Sequence, residues 1–549
     1  MILNWPDLEA RSGDIDVIIV GAGAAGFTLA NALIASGLTV LVLEAGGERM
    51  TRVTQEPYEG DLADPSVHPW LHHYRIRATG GSSRIWGGRC IPFDPIDFAD
   101  RPWAPGPGWP FPYETLKPFY AAAQEAAEAG AFDYDPRSVL PGRPAELAPG
   151  LDGRLIQTRL ERFSRPTNFA RRYLDQVRQA TTVHLLTEAP VLGVRLTPEG
   201  DRVDHLDVRA PDGAIRQLHA GRYVLAMGGL ETVRLMLASD DVMPCGIGGA
   251  HGALGRYYMS HLAATAGRIV FSRPAETAFD YAFDAQGIYV RRRIALTAEA
   301  QREIGGLNTI FRTHLPDPTD PRHGDPILSA MYLVKDLILY EYSRRLRAQR
   351  PTLKTRLAHV GNVLGDPVRV AAFGQKWVQR RVLADRKLPS VVLGSRTGDY
   401  ALEFHAEQAP NPDSRITLTD ARDSLGMRRL HVDWRVSDLD LASLERSYAL
   451  LHAELTRTGA GALVYEPGEP SAQALAAGAY GGHHLGGARM AESPRDGVVN
   501  PENQVHGVRD LYLATSAVFP TSSQANPTLT ILALSLRLAA RLRADFGRL

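Results

Sequence analysis

The sequence predicts an α/β protein of two domains, one of them a Rossmann-type domain on a parallel sheet that the chain leaves and later rejoins. Three observations carry this. A strand–turn–helix–strand unit opens the chain, a second buried strand runs into glycines near its middle, and a strand–loop–helix unit closes it. At 549 residues the chain also exceeds what one hydrophobic core comfortably serves.

Val17-Ile18-Ile19-Val20 is a short continuous apolar run, the pattern of a strand buried on both faces. From Ala24 to Ser36 the apolar spacing is helical, with Gly37 as the stop, and Thr39 to Leu43 is again β-branched and apolar. Strand, helix and strand in so short a span form a βαβ unit with a right-handed crossover. Tyr223-Val224-Leu225-Ala226 is a further buried strand, followed by Gly228, Gly229 and a helix over Glu231 to Leu237. Leu511-Tyr512-Leu513 begins the closing unit, whose helix starts at Pro527 in the first turn.

Between the first strand and helix lies Gly21-Ala22-Gly23-Ala24-Ala25-Gly26. Gly21 permits a tight turn, Gly23 lets a pyrophosphate approach the backbone, and Gly26 allows close helix–sheet packing. The helix N-terminus then offers free N–H groups to phosphate. Glu44, 18 residues beyond Gly26, ends the second strand where it can accept from a ribose diol. Together these define a dinucleotide site. A second loop, Arg77-Ala78-Thr79-Gly80-Gly81-Ser82-Ser83-Arg84-Ile85-Trp86-Gly87-Gly88, has many N–H donors and little bulk, which suits a pyrophosphate and a flat ring system.

Composition excludes several classes. Lys+Arg and Asp+Glu both number 61, which argues against a general nucleic-acid binder. The two cysteines, Cys90 and Cys245, form neither a metal-type spacing nor a disulfide framework, so no metal is expected and a reducing, cytoplasmic compartment is. No secretory signal and no transmembrane segment is evident. From Ile327 to Val382 the texture is helical, and Lys335–Lys387 carries thirteen Lys/Arg against four Asp/Glu. A solvated helical cover is one reading of that stretch; a docking face for a partner or an anionic membrane is the other.

These motifs resemble the glucose–methanol–choline (GMC) oxidoreductase family. The GGSSRIWGG loop resembles its flavin loop, and the segments Gly481-Gly482-His483-His484-Leu485-Gly486-Gly487-Ala488-Arg489-Met490 and Pro520-Thr521-Ser522-Ser523-Gln524-Ala525-Asn526-Pro527-Thr528 resemble its C-terminal block. The resemblance is absent from Val270 to Ser395. Its nearest likeness is to the sugar-oxidising branch, with pyranose 2-oxidases, glycoside 3-oxidases and glucoside 3-dehydrogenases.

The resemblance implies a FAD domain built from residues 1–100, 181–270 and 475–549. Residues 101–180 and 271–474 would then form a substrate domain on a mainly antiparallel sheet, with the basic helical insertion at about 327–387. It implies cofactor contacts at Gly21, Gly23, Ala25, Gly26, Glu44, Ala45, Gly80, Gly81, Ser83, Trp86, Gly87, Gly88, Val191, Thr515, Pro527 and Thr528. It implies catalysis by His483, in the family's HxxG pattern, as proton acceptor while a hydride passes to flavin N5. Asn526 would polarise the reacting oxygen. His484, offset by one, would face the other way. A helix cap is the alternative reading of Asn526. His405 and Gln408 are candidate substrate contacts, with bracing of the sheet as the alternative.

The sequence departs from its relatives at two positions. Ile85 stands where pyranose 2-oxidases carry a flavin-bonding histidine, so FAD is expected to be non-covalent. Thr515 stands where many members have aspartate. The expected reaction is oxidation of a secondary alcohol of a sugar or glycoside. A non-sugar alcohol (polyol, terpenoid or natural-product intermediate) is the alternative, and a flavin-bearing hydroxynitrile lyase the remote one. O2, a quinone and a partner protein remain open as electron acceptor, and a homo-oligomer is compatible with the sequence.

Overall fold

The structure, a computed structural model, describes residues 1–10, 13–334 and 352–547. Its first sheet has six parallel strands in the order Ile2–Leu3, Val183–Leu186, Val40–Leu43, Val17–Val20, Arg222–Leu225 and Leu511–Leu513. Val17–Val20 sits at the centre and all four of its residues are buried, as the unbroken apolar run demands. The strands come from the beginning, middle and end of the chain, so this Rossmann-type unit is discontinuous in sequence. The helices Ala24–Leu33 and Thr528–Asp545 pack against each other. The first is shorter than its pattern predicts: its last turn, Ile34–Ser36, tightens to 3₁₀ before Gly37.

The second sheet runs Gly461–Val464, Leu262–Phe271, Asp399–Ala406, Thr309–His314, Tyr289–Leu296, Ile156–Phe163 and Arg89–Cys90, with Ala282–Phe283 added beside Tyr289–Leu296. All its pairings are antiparallel. Register sets His405 opposite Ala263 on one side and Ile310 on the other. Two three-stranded sheets complete the β-structure among the described residues: Val191–Leu196 with Val203–Arg209 and Ile215–Leu218, and Arg415–Arg422 with Arg428–Asp433 and Asp61–Leu62.

The helical insertion comprises Pro326–Leu333, Leu353–Gly365, Pro367–Trp377 and a π-helical stretch, Val378–Leu383. A small core of Leu315, Ile327, Leu328 and Met331, joined by Phe373, Val391 and Leu393, fastens it to the molecule. The basic stretch from 335 to 351 lies outside the described residues. Among those described, no helix is long and apolar enough to cross a membrane.

Candidate active site

The glycine turn is built as its residue types require. Gly21 has φ +107°, and a Cβ there would stand 2.7 Å from the Ala226 carbonyl oxygen of the neighbouring strand's exit. At Gly26 a Cβ would fall 1.9 Å from the Gly21 carbonyl oxygen, so only glycine lets the helix start this close to the strand. A Cβ on Gly23, by contrast, would meet nothing within 4 Å. The open space over Gly23 adjoins the start of helix Ala24–Leu33, where no side chain caps the free N–H groups. The second glycine loop closes over this turn: the Gly80 N–H donates to the Ala22 carbonyl at 2.8 Å, and Gly81 comes close to Gly23. Space, bare N–H groups and lack of bulk fit a pyrophosphate.

Glu44 is buried, and its two carboxylate oxygens accept from the Ala22 N–H (2.9 Å) and the Gly46 N–H (3.0 Å). Burial raises its pKa, against these two hydrogen bonds. It therefore ties the first glycine turn to the segment after Ala45 and keeps spare lone pairs for a diol. Val191 opens its strand close by, since the Ala189 N–H donates to the Glu44 carbonyl. Three other expected contacts spend their side chains internally. Ser83 Oγ donates to Gly80 O and accepts from Phe169 N–H, and Trp86 Nε1 donates to Thr167 O. Thr515 Oγ1 accepts from Ala517 N–H. Gly87 keeps open space around it, whereas Gly88 lies against Pro166. Ile85 is 46% exposed.

Across the molecule, a short antiparallel seam joins 257–262 to 479–485: Met259 pairs with Leu485 and Leu262 with Ala479. This seam brings His261 to His483, with their Nδ1 atoms 2.9 Å apart. Burial pushes the His261 imidazole down to about 4 and that of His483 well below its ordinary value, so both rings are neutral and each carries one proton. The location of each proton follows. His261 Nε2 faces the Ser522 carbonyl oxygen at 3.2 Å, and a carbonyl only accepts, so His261 is protonated there. Its Nδ1 is then a lone pair, which takes the Nδ1–H of His483. His483 Nε2 is left bare, and it meets the Nδ2 amide of Asn526 at 3.1 Å. This orientation of the amide satisfies the donor–acceptor pattern, and it leaves Asn526 Oδ1 buried without a partner.

Asn526 does not cap the last helix. Pro527 occupies the N-cap position, one residue outside the predicted first turn, and no side chain caps Thr528–Asp545. The loop that carries Asn526 is held from the second sheet instead. His405 Nδ1 donates to the Gln524 carbonyl at 2.7 Å, the Gln408 N–H to Ser522 Oγ at 2.8 Å, and Trp109 Nε1 to Thr521 Oγ1 at 3.0 Å. Ser523, at φ +53°, donates through Oγ to Asp97 at 2.6 Å. Burial, with Glu407 and Asp94 nearby, pushes Asp97 up to about 7.

The two substrate candidates separate here. His405 keeps a bare Nε2 and its ring lies beside those of His261 and His483. Gln408 lies beyond the strand, which ends at Ala406, and is fully buried: Oε1 accepts from Ser260 N–H and Trp434 Nε1, and Nε2 donates to Arg435 O. It braces the loop, which removes it from open space. His484 faces away from His483, with its Nδ1 2.7 Å from the Tyr258 hydroxyl. Sequence reasoning missed His261 and Asp97. The one available signal for His261 was a histidine directly before an apolar strand.

A glycine turn suited to a dinucleotide, together with a half-buried neutral imidazole that has an amide donor on its bare nitrogen, fits an oxidoreductase acting on alcohols. Comparison with known proteins points the same way. The GMC oxidoreductase family profile matches residues 410–535. The chain is 23% identical to fructose dehydrogenase large subunit from Gluconobacter japonicus, over 96% of this chain and 98% of that one. It is 33% identical to C-glycoside 3-oxidase from Arthrobacter globiformis over 26% of each. Pyridoxine 4-oxidase from Mesorbium loti shares the fold, with a TM-score of 0.53 at 16% identity, covering 96% of this chain and 99% of that one. These likenesses support a GMC-type oxidoreductase acting on CH–OH donors, for which FAD is the expected cofactor.

Proposed function

We propose that this enzyme oxidises a secondary alcohol of a sugar or glycoside to the ketone, with His483 as base and Asn526 as hydrogen-bond donor to the reacting oxygen. The observation that carries the proposal is the bare Nε2 of His483 facing the Asn526 amide at 3.1 Å. A substrate hydroxyl entering between the two donates its proton to His483 Nε2, while Asn526 Nδ2–H donates to the oxygen as negative charge builds there. His261 holds the His483 proton on Nδ1, so the acceptor nitrogen is the one that faces the substrate. Residues 21–26 and 79–88 would hold FAD, non-covalently with Ile85 in its loop, and the flavin would supply the acceptor for the hydride leaving the same carbon. The sugar class is supported by the likeness to a fructose dehydrogenase and to a C-glycoside oxidase. The proposal includes a cytoplasmic location, which rests on the two free cysteines and is checked by cell fractionation.

A panel of sugars, glycosides and hydrophobic alcohols with a dye acceptor tests the substrate class, with the product's new carbonyl located by NMR. Turnover confined to hydrophobic alcohols would overturn it, and release of an aldehyde with the flavin still oxidised would point to a lyase. Acid precipitation should release all the flavin into the supernatant; yellow protein in the pellet would refute non-covalent binding.

A further inference from the structure

One helix of the insertion turns its apolar face outward. In helix Leu353–Gly365, Leu353, Leu357, Val360 and Leu364 recur at the spacing of one helical face, and that face points to solvent: three of them are 73%, 61% and 71% exposed. Two polar residues of the same helix point inward. His359 is fully buried, with Nδ1 on Ser329 Oγ, and Asn362 donates to the Pro321 carbonyl and to Ser329 Oγ. The next helix continues the exposed apolar surface with Val368, 76% exposed, and the following π-helical stretch ends it with Leu383, 72% exposed.

The charge on this surface is predominantly positive. Lys354, Arg356, Lys376, Arg380 and Lys387 are all exposed, against only Asp366 and Asp385 between residues 352 and 387. On a helical projection Lys354 and Arg356 flank the leucine stripe on its two sides, where long cationic side chains reach headgroups while the stripe enters the acyl boundary.

We propose that the helices Leu353–Gly365 and Pro367–Trp377, with the adjoining turn to Leu383, dock on an anionic phospholipid surface. Two other occupants fit less well. A second copy on a two-fold axis would set like charge against like charge, and a nucleic acid offers nothing to cover exposed leucines. An anionic bilayer satisfies both the apolar stripe and the cations.

The test uses the intact holoenzyme and co-sedimentation with vesicles of phosphatidylcholine alone or mixed with phosphatidylglycerol. Binding is expected only to the mixed vesicles, weakening with salt, with a blue shift in emission that Trp377→Phe removes. Reversing Lys354, Arg356 and Lys376 to glutamate should lower partitioning by roughly fivefold or more per residue. Leu357→Ser with Leu364→Ser should lower it at least about tenfold, while turnover of a soluble alcohol with a dye acceptor stays unchanged. Equal binding to neutral vesicles, or none to either, would overturn the proposal. So would capture by polyglutamate without vesicle binding, which would put an acidic protein there. A leucine variant that changes only the oligomeric state would make the face a self-interface and overturn it as well.

Discussion

The two sides of the 483–485 seam hold adjacent histidines that differ less than their positions suggest. On one side, the Ser522 carbonyl fixes the proton of His261, which fixes that of His483. On the other, the Pro69 carbonyl fixes that of His68, whose bare Nε2 takes the Tyr258 hydroxyl hydrogen, leaving the tyrosine oxygen to accept from His484 Nδ1. Burial first, then neighbouring positive groups, pushes both His483 and His484 well below the ordinary imidazole range. Both end with a bare Nε2. The differences are what faces that nitrogen and what can reach it: His483 is half-buried with an amide donor at 3.1 Å, while His484 is buried and its Nε2 has no hydrogen-bond partner. A shifted imidazole is therefore no sign of catalysis by itself; access and a facing donor separate the two.

The largest expected effect comes from breaking the pair at His483. His483→Ala should keep the flavin spectrum and slow flavin reduction by substrate by about two to four orders of magnitude. His484→Ala should slow it far less, and interchanged phenotypes would assign the chemistry to the wrong side of the seam. The same comparison predicts the pH profile. The neutral imidazole is the active form, and burial holds its pKa down, so the rate stays high as pH falls through 6.5 and drops only below the lowered value. A stopped-flow reduction rate that halves near pH 6.5 would place His483 in a more solvated setting than this one.

Asn526→Ser is expected to cost less, about a hundredfold in reduction rate, because serine cannot carry a donor to the point the amide reaches. Its melting temperature should barely change, since Asn526 caps no helix. A destabilised protein with a normal reduction rate would reverse that assignment.

The glycine turn, both flanking strands and Leu511–Leu513 were legible in the sequence because local rules fix them: buried parallel strands read as unbroken apolar runs, and glycines stand where a Cβ would collide. Motif singled out His483 and Asn526 separately, but their contact, spanning 43 residues, was not legible. His261 and Asp97 were invisible for a physical reason. Each acts through a partner brought up by sheet register or by the final loop, His261 across 222 residues and Asp97 across 426. Gln408 lies past Ala406, where the strand stops, and its amide is spent on the bracing that was its alternative reading.

The smallest expected effect tests His261, the residue that makes the two sides alike. Its contribution is to keep the His483 proton on Nδ1. Without it the neutral ring divides between two tautomers, and only the one with a bare Nε2 accepts the substrate proton, so the rate falls by the fraction of competent rings. That fraction alone is a factor of a few; with a ring that is also freer to turn, His261→Ala should slow reduction about tenfold. The loss should appear in the reduction rate at saturating alcohol and leave KM nearly unchanged, because His261 is fully buried and its two ring nitrogens are taken by His483 and Ser522. His261→Asn, whose side-chain oxygen can accept from His483 Nδ1–H, should recover part of the rate if it reaches, whereas His261→Leu should not. Equal rates for asparagine and leucine, or a change confined to KM, would show that His261 only fills space and that the proton on His483 is fixed by something else.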